Sequence, residues 1–132
     1  MNEIYETMLR RHNLDNEDAR RNAHYEVMQQ IILGGLYRGG FFEKAAFYGG
    51  TCLRIFHGLK RYSEDMDFSL MKKDDSFNLE NYFQSIVEEA KLLGSLKKNS
   101  PLLILMLLRM MFFRLSLILK NLKCGLMIIS CK

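Results

Sequence analysis

Residues 47–70 read F-Y-G-G-T-C-L-R-I-F-H-G-L-K-R-Y-S-E-D-M-D-F-S-L and join a glycine pair to a carboxylate pair. The glycines, Gly49 and Gly50, follow a short apolar run over residues 45–48 and precede Thr51, a residue type that often caps helices. This order predicts a strand, a tight turn and then a helix. Glycine lets the backbone approach an anion closely, and the N–H groups that begin a helix point toward it. The turn is therefore predicted to hold a phosphate.

The carboxylate pair consists of Asp65 and Asp67, which alternate with Met66 and Phe68. This alternation is typical of a half-buried strand, in which residues two apart point to the same side. Two carboxylates at one place repel each other unless a cation lies between them. Mg²⁺ prefers oxygen ligands and accepts waters and substrate phosphates as well. The stretch therefore predicts a site for a nucleotide and a magnesium ion.

These motifs resemble the signature of the DNA polymerase β-like nucleotidyltransferases. More closely, Gly-Gly-Thr-x-Leu-Arg followed by Arg-x-Ser-x-Asp-x-Asp-Phe is similar to the AbiEii/AbiGii toxin family. The resemblance is strongest over about a sixth of the chain and looser over residues 1–97. The matching positions are Gly49, Gly50, Thr51, Leu53, Arg54, Arg61, Ser63, Asp65, Asp67 and Phe68.

The resemblance implies Mg²⁺-dependent transfer of a nucleotidyl group from a nucleoside triphosphate to a hydroxyl acceptor on tRNA or on a protein. It further implies the toxin half of an abortive-infection toxin–antitoxin pair, with a cognate antitoxin as partner. Asp65 and Asp67 would then be the catalytic and metal-binding residues. The expected nucleotide-binding residues are Gly49, Gly50, Thr51, Arg54, Arg61 and Ser63.

Each of these roles has a plainer alternative that the residues alone leave open. Arg54 and Arg61 are compatible with phosphate contacts, because a guanidinium forks onto phosphate oxygens, but also with ordinary solvated positions. Ser63 is compatible with holding a triphosphate or with a turn hydroxyl at the start of the strand. The three histidines are predicted to be surface or boundary residues, because none has a second ligand at a suitable spacing.

Helices are predicted on both sides of the central stretch. Asp15 offers an N-cap for a helix over residues 17–36, which the pairs Gly34-Gly35 and Gly39-Gly40 are predicted to end. Asn78 offers a cap for a second helix, which carries an apolar stripe toward the sheet and ends at Gly94. We therefore predict an α/β (α+β) fold, a small mixed sheet with packed helices that forms part of a nucleotidyltransferase fold.

Length and composition limit the number of domains and the cellular compartment of the protein. A chain of 132 residues allows one modest domain. Its three cysteines have no C-x-x-C spacing and no signal peptide precedes them, which predicts a reduced, cytoplasmic protein without a disulfide framework or zinc site. The net charge of +4 arises because residues 101–132 carry five Lys or Arg and no Asp or Glu, whereas residues 1–100 have a net charge of −1.

This tail, rich in Leu, Ile, Met and Phe, has three interpretations. A membrane helix is disfavoured because the longest apolar run, residues 102–108, is far below the roughly 18 residues of a span. A buried core helix is disfavoured because apolar residues cover every face. A shifted reading frame is favoured, because residues with G-initial codons number thirty in the first hundred positions and one in the last thirty-two.

We therefore expect residues 1–97 to be the N-terminal part of a nucleotidyltransferase domain and residues 98–132 to be out of frame. Other members of the superfamily supply a third carboxylate from a later strand. The acidic residues after the central stretch are predicted not to replace it, which leaves catalysis absent or severely reduced. The alternative to an active enzyme is an inactive remnant that retains only nucleotide or antitoxin binding. The acidic residues in question are Asp74, Asp75, Glu80, Glu88 and Glu89, of which the three glutamates are predicted to be solvated helix residues.

Overall fold

The structure is a computed structural model that describes residues 3–94, so the expectations for residues 98–132 lie outside it. It has an α+β fold, as predicted, in which helices surround a small sheet. No helix within the described residues combines the length and the apolar character needed to cross a membrane. The elements in chain order are α1 (Glu3–Leu9), α2 (Glu17–Arg38), β1 (Ala45–Tyr48), α3 (Gly49–His57), β2 (Asp67–Leu70) and α4 (Phe83–Leu92), with short 3-10 turns at Phe41–Glu43 and Leu79–Tyr82.

The sheet that residues 3–94 form is one antiparallel pair of strands rather than a mixed sheet. Its register sets Tyr48 opposite Asp67 and Phe47 opposite Phe68. The two phenylalanines are buried, with ring centroids 5.2 Å apart, and Phe41 packs edge-on against Phe68. The aromatic contacts fix one face of the sheet against the core, and the register brings Asp67 to the end of β1 where α3 begins.

Helix α2 differs from the prediction at both ends. Its N-cap is Asn16 instead of Asp15, because the Asn16 side chain accepts a hydrogen bond from the N–H of Ala19 at 2.8 Å. The helix ends at Arg38 with Gly39, one of the predicted terminating glycines, as its C-cap, and it therefore continues through Gly34-Gly35. These glycines serve helix packing rather than termination, since a Cβ on Gly35 would lie 2.5 Å from the Cα of Ile86 in α4.

The sequence predicts that the apolar stripe of α4 packs against the sheet, but the helix packs mainly along α2. Asn78 is a cap, as predicted, but of the 3-10 turn Leu79–Tyr82 that leads into α4: its side chain accepts from the N–H of Glu80 at 3.1 Å. Gly94 follows the helix with φ of 74°, as predicted for a terminating glycine. Glu89 was predicted to be solvated, but it is buried and pairs with Arg38 Nε at 2.7 Å.

Candidate active site

The glycine turn lies directly against one of the two aspartates. Strand β1 ends at Tyr48, and Gly49 opens α3 with φ of 85°, a conformation that favours glycine. A Cβ on Gly49 would lie 2.5 Å from Asp67 Oδ2, and one on Gly50 would lie 3.6 Å from the Ser63 side chain. The turn, Ser63 and Asp67 therefore form a single corner of the molecule.

The sequence predicts both aspartates in one strand, but only Asp67 belongs to a regular strand. Strand β2 begins at Asp67, and Asp65 lies in the irregular segment before it. Burial nevertheless alternates from this segment into the strand: Met66 and Phe68 are buried, Asp67 is half-buried and Asp65 is exposed. This alternation places both aspartates on the solvent side of the chain.

The sequence favours Thr51 as the N-cap of α3, but in the structure the N-cap is Tyr48. Thr51 lies inside α3 with only 1% of its surface exposed. Its hydroxyl donates to the carbonyl of Asp65 and lies 3.4 Å from the carbonyl of Ser63. The Thr51 side chain thus anchors the segment that carries Asp65.

Arg54 is held by four groups of the protein. Its Nε donates to the carboxylate of Glu26 at 2.9 Å, and its Nη1 donates to the carbonyls of Leu59 and Lys60 at 3.1 and 2.9 Å. Its guanidinium carbon also lies 3.5 Å from the centroid of the Tyr62 ring. These contacts favour an anchoring role for Arg54 over the expected phosphate contact.

Arg61 and Ser63 lie on the same segment but in different surroundings. Arg61 is exposed, beside the exposed Lys60, so both cations face solvent on the segment that leads to Ser63. Ser63 is half-buried, and its carbonyl accepts a hydrogen bond from Gln29 Nε2 at 2.8 Å. Of the predicted nucleotide-binding side chains, Arg61 has the surroundings best suited to an incoming anion.

The sequence-based interpretation missed three polar residues that support this corner. Glu26 and Gln29 on α2 are 6% and 2% exposed, and His12 Nδ1 lies 3.6 Å from Glu26 Oε2. A sequence signal did exist, because Glu26 and Gln29 are three residues apart within a largely apolar stretch of helix. Buried polar side chains need partners, so their spacing indicates one face that meets polar groups.

The donor set suits Mg²⁺ in its chemistry. Two carboxylates beside a glycine turn leave coordination positions for water and for substrate phosphates, which this ion commonly retains. In the described part of the chain, no group of three or more His, Cys, Asp and Glu side chains is placed to hold a metal ion. The later acidic residues within that part accordingly do not extend the Asp65 and Asp67 pair into such a group.

Comparison with known proteins identifies the family of the chain. No curated protein and no solved structure matches the chain significantly. Residues 31–99, however, match the family described as "Nucleotidyl transferase AbiEii toxin, Type IV TA system". The match spans more than half of the 132 residues and contains the whole glycine and aspartate corner. The chain therefore belongs to the AbiEii family of nucleotidyl transferase toxins.

Proposed function

We propose that this protein transfers a nucleotidyl group from a nucleoside triphosphate to a hydroxyl acceptor in a Mg²⁺-dependent reaction, as the toxin of a toxin–antitoxin pair. The observation that carries the proposal is the contact between Gly49 and Asp67. It joins backbone N–H groups at a helix start, which favour phosphate, to a carboxylate, which favours a metal ion. Family membership supports both the reaction class and a cognate antitoxin as partner.

The residues divide the work between phosphate and metal. The N–H groups of Gly49 and Gly50 would bind triphosphate oxygens, and Arg61 would add positive charge from the exposed segment. Asp65 and Asp67 would hold Mg²⁺, which when bound neutralises negative charge on the triphosphate. Thr51 and Arg54 would act indirectly by holding the segment that carries Asp65.

The chemical step needs mainly positioning. The acceptor hydroxyl oxygen forms a bond to the α-phosphorus, the bond from that phosphorus to the β-phosphate oxygen breaks, and pyrophosphate leaves while the hydroxyl loses its proton. Holding both reactants in line and balancing charge account for most of the acceleration in such transfers. The acceptor is proposed to be a hydroxyl of tRNA or of a protein.

The test uses the full chain with α-labelled nucleoside triphosphates, Mg²⁺ and either total RNA or a protein extract. Asp65→Asn and Asp67→Asn should each lower labelling by roughly 100-fold or more, because a charged group at the reacting centre is lost. Asp75→Asn is the matched control, since Asp75 is exposed and pairs with Lys73 rather than with the corner. Labelling that survives both changes at Asp65 and Asp67 would overturn the proposal.

The same samples address the inactive remnant. Mg²⁺-dependent nucleotide binding, measured by equilibrium dialysis, should accompany transfer and weaken in the same two variants. Binding that persists in the wild-type chain without transfer to either acceptor would favour the remnant over the enzyme.

A further inference from the structure

We propose that Glu26 is a positioning residue of the active site, acting through Arg54 on the segment that precedes the aspartates. This inference rests on the proposed function for its catalytic meaning. We call residues 59–65 the approach segment, because they lead from α3 to Asp65 and β2. Its geometry decides where the Asp65 carboxylate stands relative to Asp67.

The chain of contacts begins at a buried charge. Glu26 is 6% exposed on α2, and its Oε2 accepts from Arg54 Nε at 2.9 Å. A buried carboxylate needs such a partner, because burial without one is strongly unfavourable. The Arg54 guanidinium is oriented by this bond and donates from Nη1 to the carbonyls of Leu59 and Lys60. The charge on α2 thus fixes the beginning of the approach segment.

The end of the approach segment is anchored from the same helix face. Gln29, one turn after Glu26, donates to the carbonyl of Ser63 at 2.8 Å. Thr51 donates to the carbonyl of Asp65 itself. Four backbone carbonyls of the approach segment are therefore held by three side chains, and Glu26 orients one of those three. The Tyr62 ring beneath the Arg54 guanidinium adds a further contact between Arg54 and the approach segment.

A second ion pair with a buried glutamate provides a control. Glu89 is 7% exposed and lies 2.7 Å from Arg38 Nε, but the Arg38 side chain is 63% exposed, whereas that of Arg54 is 16% exposed. The surroundings of Glu89 are the interface of α2 and α4, where it lies beside Gly34. Removing Glu26 leaves the mostly buried Arg54 without its carboxylate partner and lowers stability, whereas Arg38 remains solvated when Glu89 is removed. Only the loss of Glu26 should release the approach segment.

Limited trypsin digestion of the full chain reads this release directly. Lys60 and Arg61 are cleavage sites within the approach segment, and Lys72 and Lys73 at the far end of the sheet serve as an internal reference. In Glu26→Ala, cleavage at the first pair relative to the second should rise about fivefold or more, since local opening becomes easier. In Glu89→Ala, the ratio should stay within about twofold of wild type. Equal ratios in the two variants would overturn the inference.

A binding measurement then separates positioning from simple stability. At a temperature where both variants are folded, Glu26→Ala should weaken Mg²⁺-dependent binding of a nucleoside triphosphate about tenfold, because Asp65 is no longer held in place. Glu89→Ala should bind as the wild type does. Equal weakening in both variants would count against positioning. If the wild type binds no nucleotide, the proposed function fails, while the digestion ratio still decides whether Glu26 sets the approach segment.

Discussion

Gly49 and Asp67 stand so close that a Cβ added to the glycine would lie 2.5 Å from the Oδ2 of the aspartate. The register of the sheet brings them together, because Tyr48 at the end of β1 is paired with Asp67 at the start of β2. Gly49 also has φ of 85°. Two independent constraints, backbone conformation and lack of space, therefore require glycine at this position.

Gly49→Ala should abolish Mg²⁺-dependent nucleotide binding. It should also lower the free energy of unfolding by about 2–4 kcal/mol, because the backbone would be strained and Asp67 would be displaced. Gly58→Ala is the matched control, because Gly58 has φ of 71° but nothing within 4 Å of an added Cβ. It should cost only the backbone term, about 1–2 kcal/mol, and leave binding intact. Urea denaturation and equilibrium dialysis measure the two effects; equal losses in both variants would contradict the role of the Asp67 contact.

Thr51→Val replaces a buried hydroxyl with a methyl group of similar size. The carbonyl of Asp65 then loses the Thr51 donor, which should cost about 1–2 kcal/mol of stability and weaken nucleotide binding. Thr51→Ser keeps the hydroxyl and loses a methyl group, so it should lose about 1 kcal/mol of stability but bind normally. Denaturation midpoints and binding constants would check both. Normal binding by the valine variant would show that the hydroxyl is dispensable to the site.

Gly34 and Gly35, near the C-terminal end of α2, should respond differently to substitution by alanine. Gly35→Ala would place a Cβ 2.5 Å from the Cα of Ile86, so we expect a net loss of about 1–3 kcal/mol as α2 and α4 separate. At Gly34 the nearest atom is the Glu89 side chain at 3.3 Å. Gly34→Ala should therefore be neutral or stabilising by up to about 1 kcal/mol, the gain in helix propensity. Thermal unfolding followed by circular dichroism would compare them, and a stabilised Gly35→Ala would refute the close approach.

Tyr5 makes the stability of the folded chain decrease at high pH. Burial, assisted by the negative charge of Glu6, raises the pKa of Tyr5 above its ordinary value of 10.0. A raised pKa means that the folded state retains the proton more strongly than the unfolded state does. The stability from Tyr5, including its 2.8 Å hydrogen bond with His24 Nδ1, is thus fully present below pH 10 and lost as the pH rises through the folded pKa.

Tyr5→Phe should accordingly be less stable than the wild type at pH 8, by about 1 kcal/mol, and this difference should shrink above about pH 10. Urea midpoints at pH 8, 10 and 11 measure it. Tyr37→Phe is the control, because the Tyr37 ring is 75% exposed in the folded chain. A constant difference between the wild type and Tyr5→Phe across this range would contradict the prediction.

Local sequence patterns predicted much of the fold. The strand over residues 45–48, the turn at Gly49, the cap at Asn78 and the terminating role of Gly94 are all present. These features depend on neighbours in sequence, such as a capping side chain or a glycine with positive φ. Family membership was also predicted correctly, because the glycine and aspartate motifs lie within one stretch.

The errors at α2 and α4 have a different origin, which is contact between residues distant in sequence. Gly34-Gly35 resembles a helix stop until α4 is known to press against it. Glu26 and Glu89 look like solvated helix residues until Arg54 and Arg38 are placed beside them. Helix propensity and hydrophobic periodicity carry no information about such partners, so these ion pairs are visible only in the folded structure.

The buried hydroxyl of Thr51 has a consequence for how relatives of this chain are judged. A side chain that holds the backbone in place is needed by any copy that still folds, including one that has ceased to catalyse and merely occupies its antitoxin. Natural selection would then preserve Gly-Gly-Thr and Arg54 long after the reaction itself was lost. Asp65 is exposed and its side chain contributes little to packing, so it is free to drift once catalysis no longer matters. Among relatives that share an ancestor, the residue at the position of Asp65 would therefore distinguish active proteins from inactive ones.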